Sequence, residues 1–128
     1  MKNAFLKAYS IQPLLHPSIK GGVWVIRKAF LMTLKPGHQE EYERRHNPIW
    51  PELEEILKRH GVSNYSIFLD RNTDILFAYA EIESEDQWHL IAETEACRRW
   101  WEYMGGLMVV NDDQSPVAVN LDEVFHIE

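Results

Sequence analysis

Two prolines interrupt an otherwise helical stretch that runs from His38 to Ile56. Side chains four residues apart lie above one another on a helix, so Tyr42 and His46 share one face. Pro48 has no backbone N–H and disfavours helical geometry in the residue before it, so we expect the first helix to end just after His46. Pro51 suits the first turn of a second helix, where a missing N–H costs nothing. The sequence therefore predicts a helix break that carries a histidine and a phenol.

Strand and helix patterns alternate on both sides of this break. Residues 25–34 alternate in polarity, with Lys28 among the apolar side chains of one face. Ser84 has the position of a helix N-cap, with Gln87 three residues later. Strands are predicted at 25–34, 65–69, 75–82 and 121–127, and helices at 38–46, 51–60 and 84–104 with a pause near Thr94. The order β-α-β-β-α-β predicts the α+β class and a ferredoxin-like βαββαβ protomer.

The predicted fold leaves one face of its sheet bare. Both helical segments pack on the same side of a four-stranded antiparallel sheet, so several apolar side chains remain on the opposite side. Two copies related by a two-fold axis would cover these faces with one another. We therefore expect a homodimer, with a pocket between each sheet and the helices.

Residues 1–24 differ from the rest of the chain and are predicted to be an N-terminal extension. Pro13, His16 and Pro17 break its apolar run, which is too short for a membrane span, and no small-residue cleavage pattern follows. The extension is expected to be flexible or loosely docked, or to be translated leader ahead of a natural start at Val25. Residues 25–128 have the length of one domain with one core.

Charge and cysteine content narrow the range of partners. The 20 acidic and 13 basic side chains give a net charge of −7, which argues against nucleic acid and anionic membrane surfaces and favours a neutral ligand. Cys97 is the only cysteine of the sequence, so no internal disulfide can form, as is common in a reducing compartment. His38 and His46 lie two helical turns apart, too far to share a metal ion, and no metal site is predicted.

His46 is the strongest candidate for chemistry, because the ordinary histidine pKa of about 6.5 lets it give or take a proton at cellular pH. A structural interpretation stands beside this one, since a histidine also stabilises the negative end of a helix dipole. Tyr42 either hydrogen-bonds a ligand or simply packs its ring. Tyr65 opens a strand, where its hydroxyl reaches either solvent or a pocket.

Trp100 and Trp101 are adjacent, so they cannot both face one core from a helix. An indole offers a flat apolar face with one donor at its edge, which suits the C–H face of a sugar ring. One of the pair is expected to belong to the core. Trp50 and Trp88 are interpreted as packing residues.

Several motifs resemble the L-rhamnose mutarotase family in order and spacing. The resemblance is specific because HNPIWPEL and the double tryptophan occur together, which chance rarely supplies. It covers residues 25–128 and is carried by IRKAF (26–30), RRHNPIWPELE (44–54), HGVSNYSIFLD (60–70), LFAYAEIES (76–84), CRRWW (97–101) and EVF (123–125).

This resemblance implies that His46 is the catalytic proton donor and that Tyr42, Tyr65, Trp100 and Trp101 bind the sugar. It implies a dimeric α+β barrel in the cytoplasm that interconverts the α and β anomers of L-rhamnose during rhamnose catabolism. No cofactor is implied. Two alternatives stay open: a haem-degrading or cofactor-free monooxygenase, which shares the barrel fold, and a sugar-binding domain without catalysis.

Overall fold

Five strands and four α-helices alternate in residues 18–128, the part of the chain that the computed structural model describes. The strands are β1 (Ser18–Lys20), β2 (Val23–Thr33), β3 (Ser63–Asp70), β4 (Ile75–Ile82) and β5 (Val119–Leu121). The helices are α1 (Gln39–Arg45), α2 (Pro51–Arg59), α3 (Glu85–Ile91) and α4 (Glu95–Met104), and a 3₁₀ turn follows at Gly105–Leu107. None of these helices combines the length and the apolar character of a membrane span.

The strands form an antiparallel sheet in the order β5-β2-β4-β3, and β1 pairs with the first residues of β2. The helices pack on one face of this sheet, since Tyr42, Leu53, Ile91 and Trp100 share a core with Phe30 of β2. This is the arrangement of a split βαβ unit. The predicted α+β class and ferredoxin-like βαββαβ protomer are confirmed.

The inner face of the sheet combines large and small side chains. Phe30 and Met32 of β2 are buried against the helices. Ala78 and Ala80 of β4 are fully buried and lie opposite Phe30 and Lys28 in the register. Because the central strand carries only methyl groups at these two positions, there is room above it for the longer side chains of β2. The small side chains of β4 therefore leave space between the inner face of the sheet and the helices.

The helix boundaries follow the predicted signals. Ser84 Oγ accepts a hydrogen bond from the Gln87 N–H at 3.0 Å, which makes Ser84 the N-cap of α3. Thr94 Oγ1 accepts one from the Cys97 N–H at 3.3 Å and caps α4. The predicted cap at Ser84 and the predicted pause near Thr94 are both confirmed.

The N-terminal segment is described only in part. Residues 1–17 lie outside the described residues, so the interpretation of residues 1–24 as an extension stays a prediction. In the described remainder, β1 forms a hairpin with the start of β2 in which Ser18 lies opposite Val25.

The last strand is shorter than the predicted one at 121–127, and that prediction is wrong. β5 pairs with β2 only up to Leu121, which lies opposite Ala29. Beyond it, Glu123 accepts hydrogen bonds from Arg27 Nε at 2.6 Å and Nη2 at 3.0 Å, so a side-chain contact replaces the backbone ladder. The apolar residues that follow are exposed, with Val124 at 94%. Their alternating pattern does not mark a strand within this protomer.

The outer face of the sheet carries an apolar row that none of the described helices covers. Val119, Leu31, Phe77 and Phe68 are successive cross-strand neighbours from β5 to β3, so they project from the same face. Phe68 is 63% exposed and Phe77 is 43% exposed. The expected bare face is therefore present in the described part of the chain.

Two glycines with similar backbone angles give a matched test of the fold. Gly61, after α2, has φ +81° and a Cβ there would lie 2.9 Å from the Glu83 side chain, whereas Gly37 has φ +86° and open space around it. We expect Gly37→Ala to lower the free energy of unfolding by about 1–2 kcal/mol through backbone strain alone. Gly61→Ala should lose about 1–3 kcal/mol more because of the clash. Urea unfolding of both variants measures the difference, and equal losses would contradict the close approach.

Candidate active site

A cavity of about 1130 Å³ lies between the inner face of the sheet and the helices. Its walls come from β2, β3 and β4 on the sheet side and from all four helices, α1 to α4, on the other side. All five residues that the sequence singled out line it: Tyr42, His46, Tyr65, Trp100 and Trp101. The fold thus gathers these side chains around one space, and their individual roles stay predictions.

His46 lies where α1 ends, at the predicted break. Its Nδ1 is 2.9 Å from the Tyr42 carbonyl oxygen. A carbonyl can only accept, so Nδ1 carries the proton and donates it. The neutral ring therefore keeps a lone pair on Nε2. The chain leaves the helix through a cis peptide bond between Asn47 and Pro48 and resumes regular structure at Pro51.

Two other histidines make the same backbone contact as His46, and their positions relative to the cavity differ. His60 and His89 also place Nδ1 at hydrogen-bond distance from the carbonyl four residues earlier, at 2.8 Å and 3.0 Å. His46 and His89 both line the cavity, whereas His60 does not. His89 is an exposed residue, and His46 is partly buried. Burial lowers the His46 pKa below its ordinary value, and the Tyr42 carbonyl opposes this in part. The His46 imidazole is accordingly neutral at pH 7.

Aromatic rings surround the His46 imidazole. The Tyr42 ring lies 4.3 Å from it between centroids at 33°, and the Trp100 ring lies 5.1 Å away at 89°. Trp50 packs edge-to-face on Trp100 at 5.1 Å. Trp50 does not line the cavity, in agreement with its interpretation as a packing residue.

The tryptophan pair divides between core and cavity wall. Trp100 is buried in the hydrophobic core, whereas Trp101 is only partly buried and packs against it. Both rings also line the cavity. The expectation that one of the two adjacent rings belongs to the core is confirmed.

A second aromatic group lines the cavity where β2 and β3 meet α3. Phe30, Tyr65 and Trp88 lie within 5.9–6.5 Å of one another between ring centroids. Trp88 was interpreted from the sequence as a packing residue only, but it also lines the cavity, as does Lys28. The sequence carries one signal for this wall, the interruption of an apolar strand face by Lys28.

The hydroxyl and thiol groups of the cavity are held in their protonated forms. Burial raises the pKa of Tyr42 and of Tyr65 above the ordinary value of 10. Burial likewise raises the pKa of the Cys97 thiol to about 11. At neutral pH the phenols are therefore hydrogen-bond donors, and the thiol is not a nucleophile.

Arg45 fixes the end of α1 to the end of α4. Its Nη1 donates to the Tyr103 carbonyl oxygen at 2.5 Å, and the guanidinium lies 4.2 Å from the centre of the Tyr103 ring. Glu41 accepts a hydrogen bond from Arg45 Nε at 2.6 Å. The Tyr103 ring packs in turn on Trp50 at 5.2 Å. These contacts, which the sequence did not reveal, hold His46 against the tryptophan-bearing helix.

The fold and this cavity define the class of the protein: an α+β protein of ferredoxin-like topology with a ligand-sized cavity that several aromatic rings and the partly buried, neutral His46 line. Within that class, the chain belongs to the L-rhamnose mutarotase family, whose family model matches residues 27–127.

Curated L-rhamnose mutarotases are similar to this chain over a region of 103 residues. An L-rhamnose mutarotase from Shigella flexneri is 56% identical over 103 residues, which are 80% of this chain and 99% of the relative. One from Escherichia coli K12 is 55% identical over the same shares. The chain thus spans almost the whole length of these relatives.

Solved structures give the same fold. The crystal structure of an L-rhamnose mutarotase from Formosa agariphila is similar with a TM-score of 0.74 and 43% identity, over 80% of this chain and 98% of the other. A putative antibiotic biosynthesis monooxygenase from Nitrosomonas europaea is similar with a TM-score of 0.56 at 11% identity, over 79% of this chain and 91% of the other. At that identity the second likeness concerns the fold alone.

The contribution of Arg45 to stability can be tested by comparing its substitution with that of Arg99, another arginine that joins two helices. The Arg45 side chain is only 19% exposed, and Arg45→Gln removes its charged hydrogen bond to the Tyr103 carbonyl. This loss should cost about 1–3 kcal/mol of unfolding free energy and change the near-UV circular dichroism of the tryptophans. Arg99→Gln breaks the exposed ion pair with Glu52 that joins α4 to α2, so it serves as the control. Equal small effects in the two variants would mean that Arg45 does not fix the helix ends.

Proposed function

We propose that the protein interconverts the α and β anomers of L-rhamnose in this cavity and that His46 transfers the proton. The observation that supports this role is the neutral, partly buried His46, whose Nδ1 donates to a carbonyl and whose Nε2 is left for the substrate. Membership of the L-rhamnose mutarotase family supplies the substrate.

Mutarotation needs one base and one acid. The ring opens when the anomeric hydroxyl loses a proton, the C1–O5 bond breaks and the ring oxygen gains a proton. The C1–C2 bond then rotates, and the ring closes on the other face of the carbonyl. General acid–base catalysis of such steps contributes about 10²- to 10⁴-fold. An acceleration in that range is sufficient here, because mutarotation also proceeds in water without a catalyst.

His46 acts first as the base. In its neutral form Nε2 accepts the proton of the anomeric hydroxyl, and the imidazolium returns this proton to the same oxygen when the ring closes. His46 therefore acts as the proton donor, the role that the family resemblance implies, when the ring closes. Tyr42 or Tyr65, each a neutral phenol, donates to the ring oxygen directly or through water.

Indole faces hold the sugar. Trp100 and Trp101 contribute apolar surface to the cavity beside His46, and the C–H face of a pyranose packs on such rings. The phenols of Tyr42 and Tyr65 meet its hydroxyls. A sugar without formal charge suits a chain with a net charge of −7.

A homodimer and a cytoplasmic location belong to the same proposal. The row of Val119, Leu31, Phe77 and Phe68 supports pairing of two sheets through their outer faces, because a bare apolar face of this kind favours association. Cys97 is a buried free thiol, in keeping with a reducing compartment.

His46→Gln should lower the rate of enzyme-dependent anomer exchange by at least about 100-fold. His60→Gln is the matched control, because His60 makes the same backbone hydrogen bond at the end of α2 but does not line the cavity. Saturation-transfer NMR between the two anomeric protons of L-rhamnose measures the rate, with sugar binding checked in parallel. Undiminished exchange in a folded His46→Gln protein would refute the role.

The pH dependence distinguishes a base from an acid. Because burial places the His46 pKa below about 6.5, kcat/KM should be constant near pH 7 and should fall as the pH drops through that lowered pKa. Tyr42 and Tyr65 do not titrate in this range, since burial raises their pKa values. After subtraction of the spontaneous rate at each pH, an increase in kcat/KM on acidification would instead make the imidazolium the active form.

Phe77→Asp should convert the dimer to a monomer, because the charge falls in the middle of the outer apolar row. Leu90→Asp is the control, since Leu90 is a similarly exposed apolar side chain on α3. Light scattering after size exclusion measures both masses. A monomeric wild type, or a Phe77→Asp protein that remains dimeric, would contradict this interface.

A further inference from the structure

Lys28 places a buried ammonium group in the wall of the cavity. It lies on the inner face of β2, is 3% exposed and lines the cavity. Burial lowers the pKa of this amine, and the Glu85 carboxylate opposes that shift. A charged side chain taken out of water in this way requires a partner or a purpose.

Glu85 is one of the groups that hold Lys28. Its Oε1 lies 3.2 Å from Lys28 Nζ, which joins β2 to the first turn of α3. Its Oε2 is buried and accepts no hydrogen bond within the described residues. Buried ion pairs contribute little net stability relative to apolar packing, and a buried acceptor without a donor costs free energy. The pair is therefore poorly explained as a stabilising contact.

The surroundings of Lys28 are those of a polyol subsite. Its Nζ lies 5.6 Å from the Trp88 ring centre, and Trp88 packs on Tyr65, which also lines the cavity. An indole face beside charged hydrogen-bonding groups is a combination that recognises the C–H face and the hydroxyls of a sugar together. Because Glu85 balances the Lys28 charge, the subsite suits a neutral hydroxyl better than a phosphate or a carboxylate.

The geometry points to a hydroxyl-binding subsite on the sheet side of the cavity, in which Lys28 donates a hydrogen bond to a sugar hydroxyl while Glu85 holds the ammonium beside Trp88. This inference rests on the proposed function for the identity of the sugar. It adds Lys28 as a binding residue, Glu85 as a positioning residue and Trp88 as the neighbouring wall. His46 at the end of α1 meets the anomeric centre, and Lys28 meets a hydroxyl elsewhere on the ring.

The test removes the pair without leaving an unpaired charge. Lys28→Met combined with Glu85→Gln should raise both the dissociation constant for L-rhamnose, measured by NMR titration, and KM by about 10-fold or more. The same double variant should keep kcat within about 3-fold of wild type, because a contact made equally in ground and transition states affects KM alone. Arg59→Gln combined with Glu55→Gln removes an exposed pair outside the cavity and should change neither quantity. Thermal unfolding establishes that each protein is folded.

Analogues that lack single hydroxyls identify the contact from the sugar side. Among the 2-deoxy, 3-deoxy and 4-deoxy forms of L-rhamnose, one should bind wild type and the double variant equally, because it lacks the hydroxyl that Lys28 contacts. Lys28→Gln keeps a neutral donor and should restore part of the affinity, and it replaces the double variant if that protein does not fold.

The outcomes separate this inference from the proposed function. Wild-type affinity for L-rhamnose in the folded double variant, or an equal loss for L-rhamnose and every deoxy analogue, would overturn the subsite. Absence of anomer exchange in wild type would overturn the proposed function, while the affinity measurements would still decide the subsite.

Discussion

The hydrogen bond from the His46 ring to the Tyr42 carbonyl is the contact on which the chemistry of the cavity depends. It fixes the tautomer and leaves Nε2 as the reactive nitrogen. It forms because His46 stands where α1 ends, four residues after Tyr42, and α1 ends there because Pro48 cannot continue the ladder. Arg45 then secures that helix end against Tyr103. A break in regular structure and a side-chain clamp together hold one ring in place.

Burial drives most of the ionisable groups around this ring to their neutral forms. The pKa of His46 falls, whereas those of Tyr42, Tyr65 and Cys97 rise. One desolvating environment thus prepares a base and two donors at the same pH. Lys28 and Arg71 also line the cavity, and each of these charged side chains has a carboxylate beside it, Glu85 for Lys28 and Glu43 for Arg71. Such a cavity accepts neutral molecules with many hydroxyls more readily than ions.

Sequence patterns predicted local features well and some long-range contacts poorly. The helix break, the Ser84 cap and the closeness of Tyr42 and His46 follow from periodicity and proline chemistry, which act within a few residues. Contacts such as Arg45 to Tyr103 depend on how separate helices pack, and no short pattern encodes them. The strand predicted at 121–127 is wrong for a related reason. Alternating apolar residues predict that one face of a segment is buried, but they do not identify the surface against which it is buried. The positions of Trp88 and Lys28 in the cavity wall depend on the small side chains of Ala78 and Ala80 on the neighbouring strand, which leave room for longer side chains.

The carbonyl that orients His46 belongs to the main chain. Substitution of the Tyr42 side chain can remove a ring and a hydroxyl from the cavity, but it leaves this acceptor in position as long as α1 keeps its shape. Genetic drift at that codon can therefore alter how the cavity holds a molecule while preserving the tautomer of the histidine. The two properties are inherited separately, one through the side chain and the other through the helix itself. New ligand preferences could accordingly evolve at Tyr42 without first dismantling the proton-transfer group.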